Sequence, residues 1–472
     1  MTYTDTRDRA TAVSFRTAVM NGLCPQTGGL YVPTQIPTLP KPLLQRNPEP
    51  SFRETAFEAA RLFTGDEISE GELESLVQDC YPFTAKVVPV DPATYILELF
   101  HGPTCAFKDF GARFMARVMS LFNRTEDRKL HILVATSGDT GSAVGSAFLG
   151  VEGIDVTILY PEGKVSHLQE KQLSTFTGNV RSLKIAGTFD DCQRLVKTAF
   201  TDKDLRGKLR LSSANSINIS RLLPQAFYYI HSSLVVKNRL PYDGKSADAA
   251  VIACVPSGNF GNLTSGLIAR AMGAPIAGFV AAVNANRTFP EWLSTGEYKP
   301  RPSIATLSNA MDVGAPSNFE RINSMWGLEL SRKILASYWT DDAGTLEGIK
   351  DCKHKTGYII DPHGAVAWQA WSAIRSGAMA DLVSGKTPDA ARPALAVSVP
   401  EWAGAAAKGQ VAAIVLETAH PAKFSDTVYK ACGREPSMPE RLEKALSLPD
   451  NAIPLSKDYP VFKEWLSSTL EA

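Results

Sequence analysis

The sequence predicts an α/β protein built on parallel sheets. Short β-rich apolar runs alternate with stretches of helical period from about residue 94 onward, and several of those runs end in a glycine turn that opens straight into a helix. Strands alternating with helices of this length imply crossover connections, which cover a parallel sheet on both faces.

Taken in order, residues 1–93 differ from the rest. They are proline-rich at 33–50 and then helical around Phe57–Phe63 and Gly71–Tyr81, which predicts an N-terminal helical appendage. Thr94–Phe100 reads as a strand. Thr104 then offers an N-cap to a helix running through Phe122, with Phe107, Phe110, Phe114, Val118 and Leu121 on one face. Leu130–Ala135 is a second strand, followed by the turn Ser137-Gly-Asp-Thr-Gly141 and a small-residue helix to Phe148. Asp155–Tyr160 is a third. Thr188 and Asp191 form a capping box for a helix carrying Leu195, Val196 and Phe200. Ala249–Val255 repeats the strand, glycine turn and helix. Ser384–Gly409, rich in Pro, Ala and Gly, reads as a surface insertion.

Composition excludes several classes of partner. The 472 residues are 44% hydrophobic and 21% charged, ordinary for a globular chain with a sizeable core. Forty-nine basic and 49 acidic residues cancel, so nucleic acid and anionic membranes have no electrostatic claim on the surface. Any anion site must be local. The first residues lack the apolar run of a signal peptide and the bias of a transit peptide, which predicts a cytoplasmic protein. The longest apolar runs, near Ala249–Val255 and Ile276–Val283, fall far short of the roughly 20 residues a bilayer span needs. Seven dispersed cysteines without metal-ligand spacing fit free thiols in a reducing compartment, and no metal site is expected. Cys105 reads as a small packed residue.

The chemistry concentrates in His101-Gly-Pro-Thr-Cys-Ala-Phe-Lys108. One lysine stands between a strand and a helix, flanked by Phe107 and Phe110. From the local pattern alone such a lysine is more often a solvated surface residue. Buried among aromatics, it is instead an amine whose pKa desolvation lowers, ready to form a Schiff base with an aldehyde. Val255-Pro-Ser-Gly-Asn-Phe-Gly-Asn262 closes a strand and opens a helix, so its backbone N–H groups can converge on a phosphate. Taken alone it is equally an ordinary tight turn. Ala135-Thr-Ser-Gly-Asp-Thr-Gly-Ser142 is built the same way. Two anion-ready turns and one candidate amine together suggest pyridoxal 5′-phosphate and an anionic substrate.

The segment Phe100–Ala116 resembles the cofactor-lysine segment of the threonine synthases. So do Ala135–Ala143, Ser213-Ala-Asn-Ser-Ile-Asn-Ile-Ser-Arg221, Pro256–Asn262, Leu307-Ser-Asn-Ala-Met-Asp-Val313 and Glu417-Thr-Ala-His-Pro-Ala-Lys-Phe424, in family order from about Gly28 onward. The opening Tyr3-Thr-Asp-Thr-Arg-Asp8 departs from the Tyr-x-Ser-Thr-Arg-Gly common in that family. The resemblance implies a fold-type II pyridoxal-phosphate enzyme. Its two parallel-sheet α/β domains would be a small one over residues 131–214 and a large one over 94–130 and 215–472, with the helical region 1–93 appended.

The resemblance further implies conversion of O-phospho-L-homoserine and water into L-threonine and phosphate by a monomer or homodimer. Lys108 would carry the cofactor, Gly258, Asn259, Phe260, Gly261 and Asn262 would cradle its phosphate, and Thr418 would meet its pyridine nitrogen. Ser137, Gly138, Asp139 and Thr140 would receive the substrate carboxylate and the cofactor's ring hydroxyl. Asn215 and Arg221 would take the substrate phosphate, with Lys164 a further candidate. His363 and His420 read as structural. The alternatives are a phospho-lyase on the same scaffold that yields a keto acid, and a silent cofactor-binding regulatory protein.

Overall fold

The computed structural model describes residues 1–136, 138–240, 250–386 and 398–470. Two sheets organise it. The larger has six strands, in the order Leu335–Trp339, Gly278–Val283, Ala250–Pro256, Val411–Glu417, Thr94–Glu98 and Lys86–Asp91. All its neighbours run parallel except the last pair, a hairpin at one edge. The smaller sheet has five parallel strands, in the order Ile453–Ser456, Val180–Ala186, Ile154–Pro161, Leu130–Ala135 and Arg210–Ser213. The central strands are buried throughout, Leu130–Ala135, Ile154–Pro161 and Val411–Glu417 without exception, as sheets covered on both faces require.

The predicted α/β architecture is therefore present, with three differences of detail. The N-terminal region holds the expected helices, Phe52–Thr64 and Glu70–Cys80, but also a three-stranded antiparallel sheet of Val13–Ser14, Thr2–Asp5 and Tyr31–Pro33. It is fastened to the body: the Tyr3 hydroxyl donates to the Phe63 carbonyl at 2.7 Å, and buried Arg321 donates to the carbonyl of Tyr31 at 3.0 Å.

The second difference is at the C-terminus. Residues 453–470 join the five-stranded sheet instead of staying with the large unit. Ile453–Ser456 pairs in parallel with Val180–Ala186, and the helix Tyr459–Leu470 buries Phe462 and Leu466 against Leu183, Ile185 and Leu195. Third, the expected surface insertion is anchored where it is described. Trp402 and Ala403 are buried, and the Trp402 indole donates to the carbonyl of Ile334 at 2.9 Å. The rest of that insertion, 387–397, lies outside the described residues, as does Ala249 of the predicted strand.

Candidate active site

A cavity of about 680 Å³ opens where the two sheets meet at the carboxyl ends of their strands, with Ala135 and Thr136 on one wall and Pro256 and Ser257 on the other. Open parallel sheets place ligand sites at those ends. The helix Lys108–Asn123 points its first residue into this space. Its buried face is made by Phe110, Phe114, Val118 and Phe122; Phe107 and Leu121 are only half-buried. Thr104 does not cap it as expected. The Thr104 hydroxyl and backbone N–H both donate to Asp109, at 2.8 and 2.9 Å, and burial raises that carboxyl to about 6.

The Lys108 side chain is only 13% exposed, which removes the solvated-surface alternative. Burial lowers its pKa, opposed by Asp139, whose carboxylate lies 3.7 Å from Nζ. The start of this helix is tied by backbone to the end of the Val411–Glu417 strand. The N–H of Phe107 donates to Thr418 at 2.8 Å, and that of His420 donates to Cys105 at 3.0 Å. Lys108 and Thr418 line the same cavity from one welded corner. Cys105 is buried and sits at φ 56°, part of that corner.

Facing them is the turn at 256–262. Phe260 adopts the left-handed region at φ 60°, and the helix Gly261–Ala271 follows at once, so consecutive N–H groups turn toward one point. Gly258 is required by close approach, since a Cβ there would stand 2.8 Å from the Cα of Met311. Asn262 directs its Oδ1 to the hydroxyls of Tyr228 and Tyr229, at 2.7 and 2.8 Å, while its buried Nδ2 has no partner among the described residues. A buried donor of that kind suits an anion in the turn. The amine, the turn and the Thr418 hydroxyl therefore fit pyridoxal 5′-phosphate. Asn259 is a strut, with Nδ2 donating to the Ser216 hydroxyl and Oδ1 accepting the Ser317 N–H.

The second turn is tighter than its sequence suggested. Gly138 sits at φ 141°, where a Cβ would come within 2.8 Å of the Gln169 amide. Asp139 and Gly138 are not among the cavity-lining residues, whereas Thr140 is; Ser137 lies outside the described residues. Burial works against the Asp139 charge, yet Lys423 and Lys108 hold its carboxyl well below the usual range.

Lys423 was missed by sequence reasoning. Its side chain is fully buried, with Nζ 2.6 Å from Asp139 and donating to the Thr104 carbonyl at 3.1 Å. The signal was a lysine placed between Ala422 and Phe424 in an otherwise apolar turn.

Arg221 is buried with its guanidinium in the cavity wall. Its Nη1 donates to the carbonyl of Ala214, no carboxylate pairs with it among the described residues, and burial lowers its pKa to about 10. Asn215 lines the cavity beside it. Lys164 does not: it is exposed and away from the cavity, because it sits in the turn beyond the Ile154–Pro161 strand. His363 lines the cavity with Nδ1 at 2.7 Å from Asp361, and its Nε2 is buried without a partner among the described residues. His420 uses Nδ1 to accept the Ala422 N–H at 3.2 Å, holding the turn. No cluster of His, Cys, Asp and Glu among the described residues could hold a metal ion.

Comparison with known proteins gives the class first. Residues 85–384 match the family described as pyridoxal-phosphate dependent enzyme, in keeping with the lysine and glycine turn just described, so this is a fold-type II enzyme whose cofactor is pyridoxal 5′-phosphate. Residues 2–81 match the threonine synthase N terminus and residues 394–465 the threonine synthase C-terminal family. Threonine synthase of Haemophilus influenzae is 40% identical over 457 residues, 96% of each chain. The crystal structure of threonine synthase from Escherichia coli superposes with a TM-score of 0.81 at 37% identity, covering 99% of this chain and 100% of that one. That of PLP-bound threonine synthase from Brucella melitensis gives 0.82 at 32% identity, with all of both chains covered. The chain belongs to the threonine synthase family.

Proposed function

We propose that the chain converts O-phospho-L-homoserine and water into L-threonine and phosphate. The observation that carries this reading is Arg221, a buried guanidinium without a carboxylate partner among the described residues, in the same cavity as Lys108. An uncompensated buried cation suits a ligand that brings its own negative charge, and a guanidinium fork suits phosphate.

When bound, pyridoxal 5′-phosphate supplies the electron sink that makes the hydrogens near the amino-bearing carbon acidic. The chain's residues do the rest. Lys108 would hold the cofactor covalently through its side-chain amine, and that same amine would serve as the base that moves protons at the substrate's carbons. Burial disfavours its charged form, which favours the neutral, nucleophilic amine. Asp139, held charged by Lys423, orients the lysine. The turn at Gly258, Asn259, Phe260, Gly261 and Asn262 would hold the cofactor phosphate, and Thr418 would offer the pyridine nitrogen a neutral hydroxyl. Thr140 receives the substrate carboxylate, and Asn215 with Arg221 takes the substrate phosphate.

We propose a small domain over 131–214, joined by the C-terminal strand and helix at 453–470, and a large one over 94–130 and 215–452; the separate five- and six-stranded sheets support this division. The seven free cysteines, six of them buried, support a cytoplasmic setting, and no described helix is long and apolar enough to cross a membrane. The test is an assay of phosphate release from O-phospho-L-homoserine with the amino-acid product identified. Threonine equal to phosphate is expected. A keto acid in its place refutes the reading in favour of a phospho-lyase.

A further inference from the structure

A phosphate monoester carries close to two negative charges at neutral pH, and one guanidinium balances only half of that. The basic residues lining the cavity among the described residues are Arg7, Lys108, Lys197, Arg221, Arg301 and His363. Four of them already face a carboxylate. Arg7 lies 2.9 Å from Glu320, Arg301 pairs with Glu291, Lys108 lies 3.7 Å from Asp139, and His363 lies 2.7 Å from Asp361. Arg221 and Lys197 are the two without an acidic partner among the described residues.

Lys197 belongs to the helix Phe189–Thr201, which packs Cys192, Leu195 and Ala199 on the five-stranded sheet. The opposite stripe of that helix, Asp190, Gln193 and Lys197 at helical spacing, lines the cavity. Asp190 makes no ion pair with Lys197, two turns away. Arg221 stands on the helix Ile219–Leu222, packed beside the helix Lys108–Asn123. The two unmatched cations therefore reach the cavity from different structural units.

We infer that Lys197 supplies the second positive charge for the substrate's phosphate, which makes it a specificity-determining residue and makes the phosphate the ligand group that joins the two units. This rests on the reading of Arg221 given above. The probes are 2-amino-5-phosphonopentanoate, which carries the terminal anion, and 2-aminopentanoate, which lacks it. Each is titrated into the holoenzyme and followed by the cofactor's visible absorption.

Lys197→Ala is expected to weaken the phosphonate roughly tenfold or more, as charge-assisted contacts to phosphate-like oxygens dictate, with binding of 2-aminopentanoate unchanged. Lys197→Arg retains most of the affinity, and the loss in Lys197→Ala narrows as salt screens the exposed ammonium. Equal weakening of both probes reduces Lys197 to a structural residue and overturns the inference. If Lys197→Ala binds the phosphonate normally while Arg221→Ala does not, only this inference falls. If both variants bind it normally, the reading of Arg221 falls with it.

Discussion

Lys108 and Arg221 line one cavity, and we propose that they divide its work, one toward the cofactor and one toward the substrate. Borohydride reduction of the yellow holoenzyme should bleach its visible band and leave the label on Lys108; a labelled peptide containing another lysine would contradict the assignment. Lys108→Ala should lose at least ~10⁴ in turnover, since anchor and base are the same group. Arg221→Ala should leave the visible spectrum nearly unchanged and cost about 2–5 kcal/mol in kcat/KM, with Arg221→Lys recovering part. The sequence offers these two residues as candidates because each stands in a long motif. It misjudged Lys164 and passed over Lys423, because burial of a lysine depends on which carboxylate the fold brings to it. Asp139 and Lys423 are neighbours only in three dimensions.

At the scale of the element, Asp109 in the first turn of the lysine helix gives a measurable pH dependence. Burial raises it from 3.8 to about 6, so the folded protein holds its proton more tightly than the unfolded chain does. Its contribution is then most favourable below pH 3.8 and is lost as pH rises through 6. Asp109→Asn, which keeps an acceptor for Thr104, should gain stability relative to the parent across that window, by about 2–3 kcal/mol at most. Urea midpoints at pH 4 and pH 7 test this, and an equal difference at both would refute it. The strands and helices were mostly legible here, since periodicity and caps are local signals; the capping box of Thr188 and Asp191 is present as read. Thr104 was misread because a hydroxyl before a helix can serve a side chain as readily as a backbone N–H.

At the scale of the molecule, the alternation of strands and helices in parallel sheets was legible, but the membership of the last strand was not. Nothing in Ile453-Pro-Leu-Ser456 announces which sheet it joins, because pairing partners are a non-local property and all four residues are half-buried or exposed. Deleting residues 450–472 should therefore injure the five-stranded sheet selectively. It uncovers the edge at Val180–Ala186 and removes Phe462 and Leu466, each fully buried and worth about 1.5–3 kcal/mol. Amide exchange should quicken in Val180–Ala186 and the Phe189–Thr201 helix, while Ala250–Pro256 stays protected. Uniform loss of protection would show that the two sheets unfold as one.

The backbone corner that joins Phe107 to Thr418 and Cys105 to His420 also has a consequence for biosynthesis. Its two halves are separated by most of the length of the chain, so a ribosome has made nearly the whole polypeptide before the lysine meets its partner strand. Nascent chains halted before Val411 should leave Lys108 without that strand and fail to acquire the yellow colour, however much of the glycine turn has already emerged. Capture of the vitamin-derived cofactor is then expected only near the end of translation, and colour in a cell extract should report nearly finished chains.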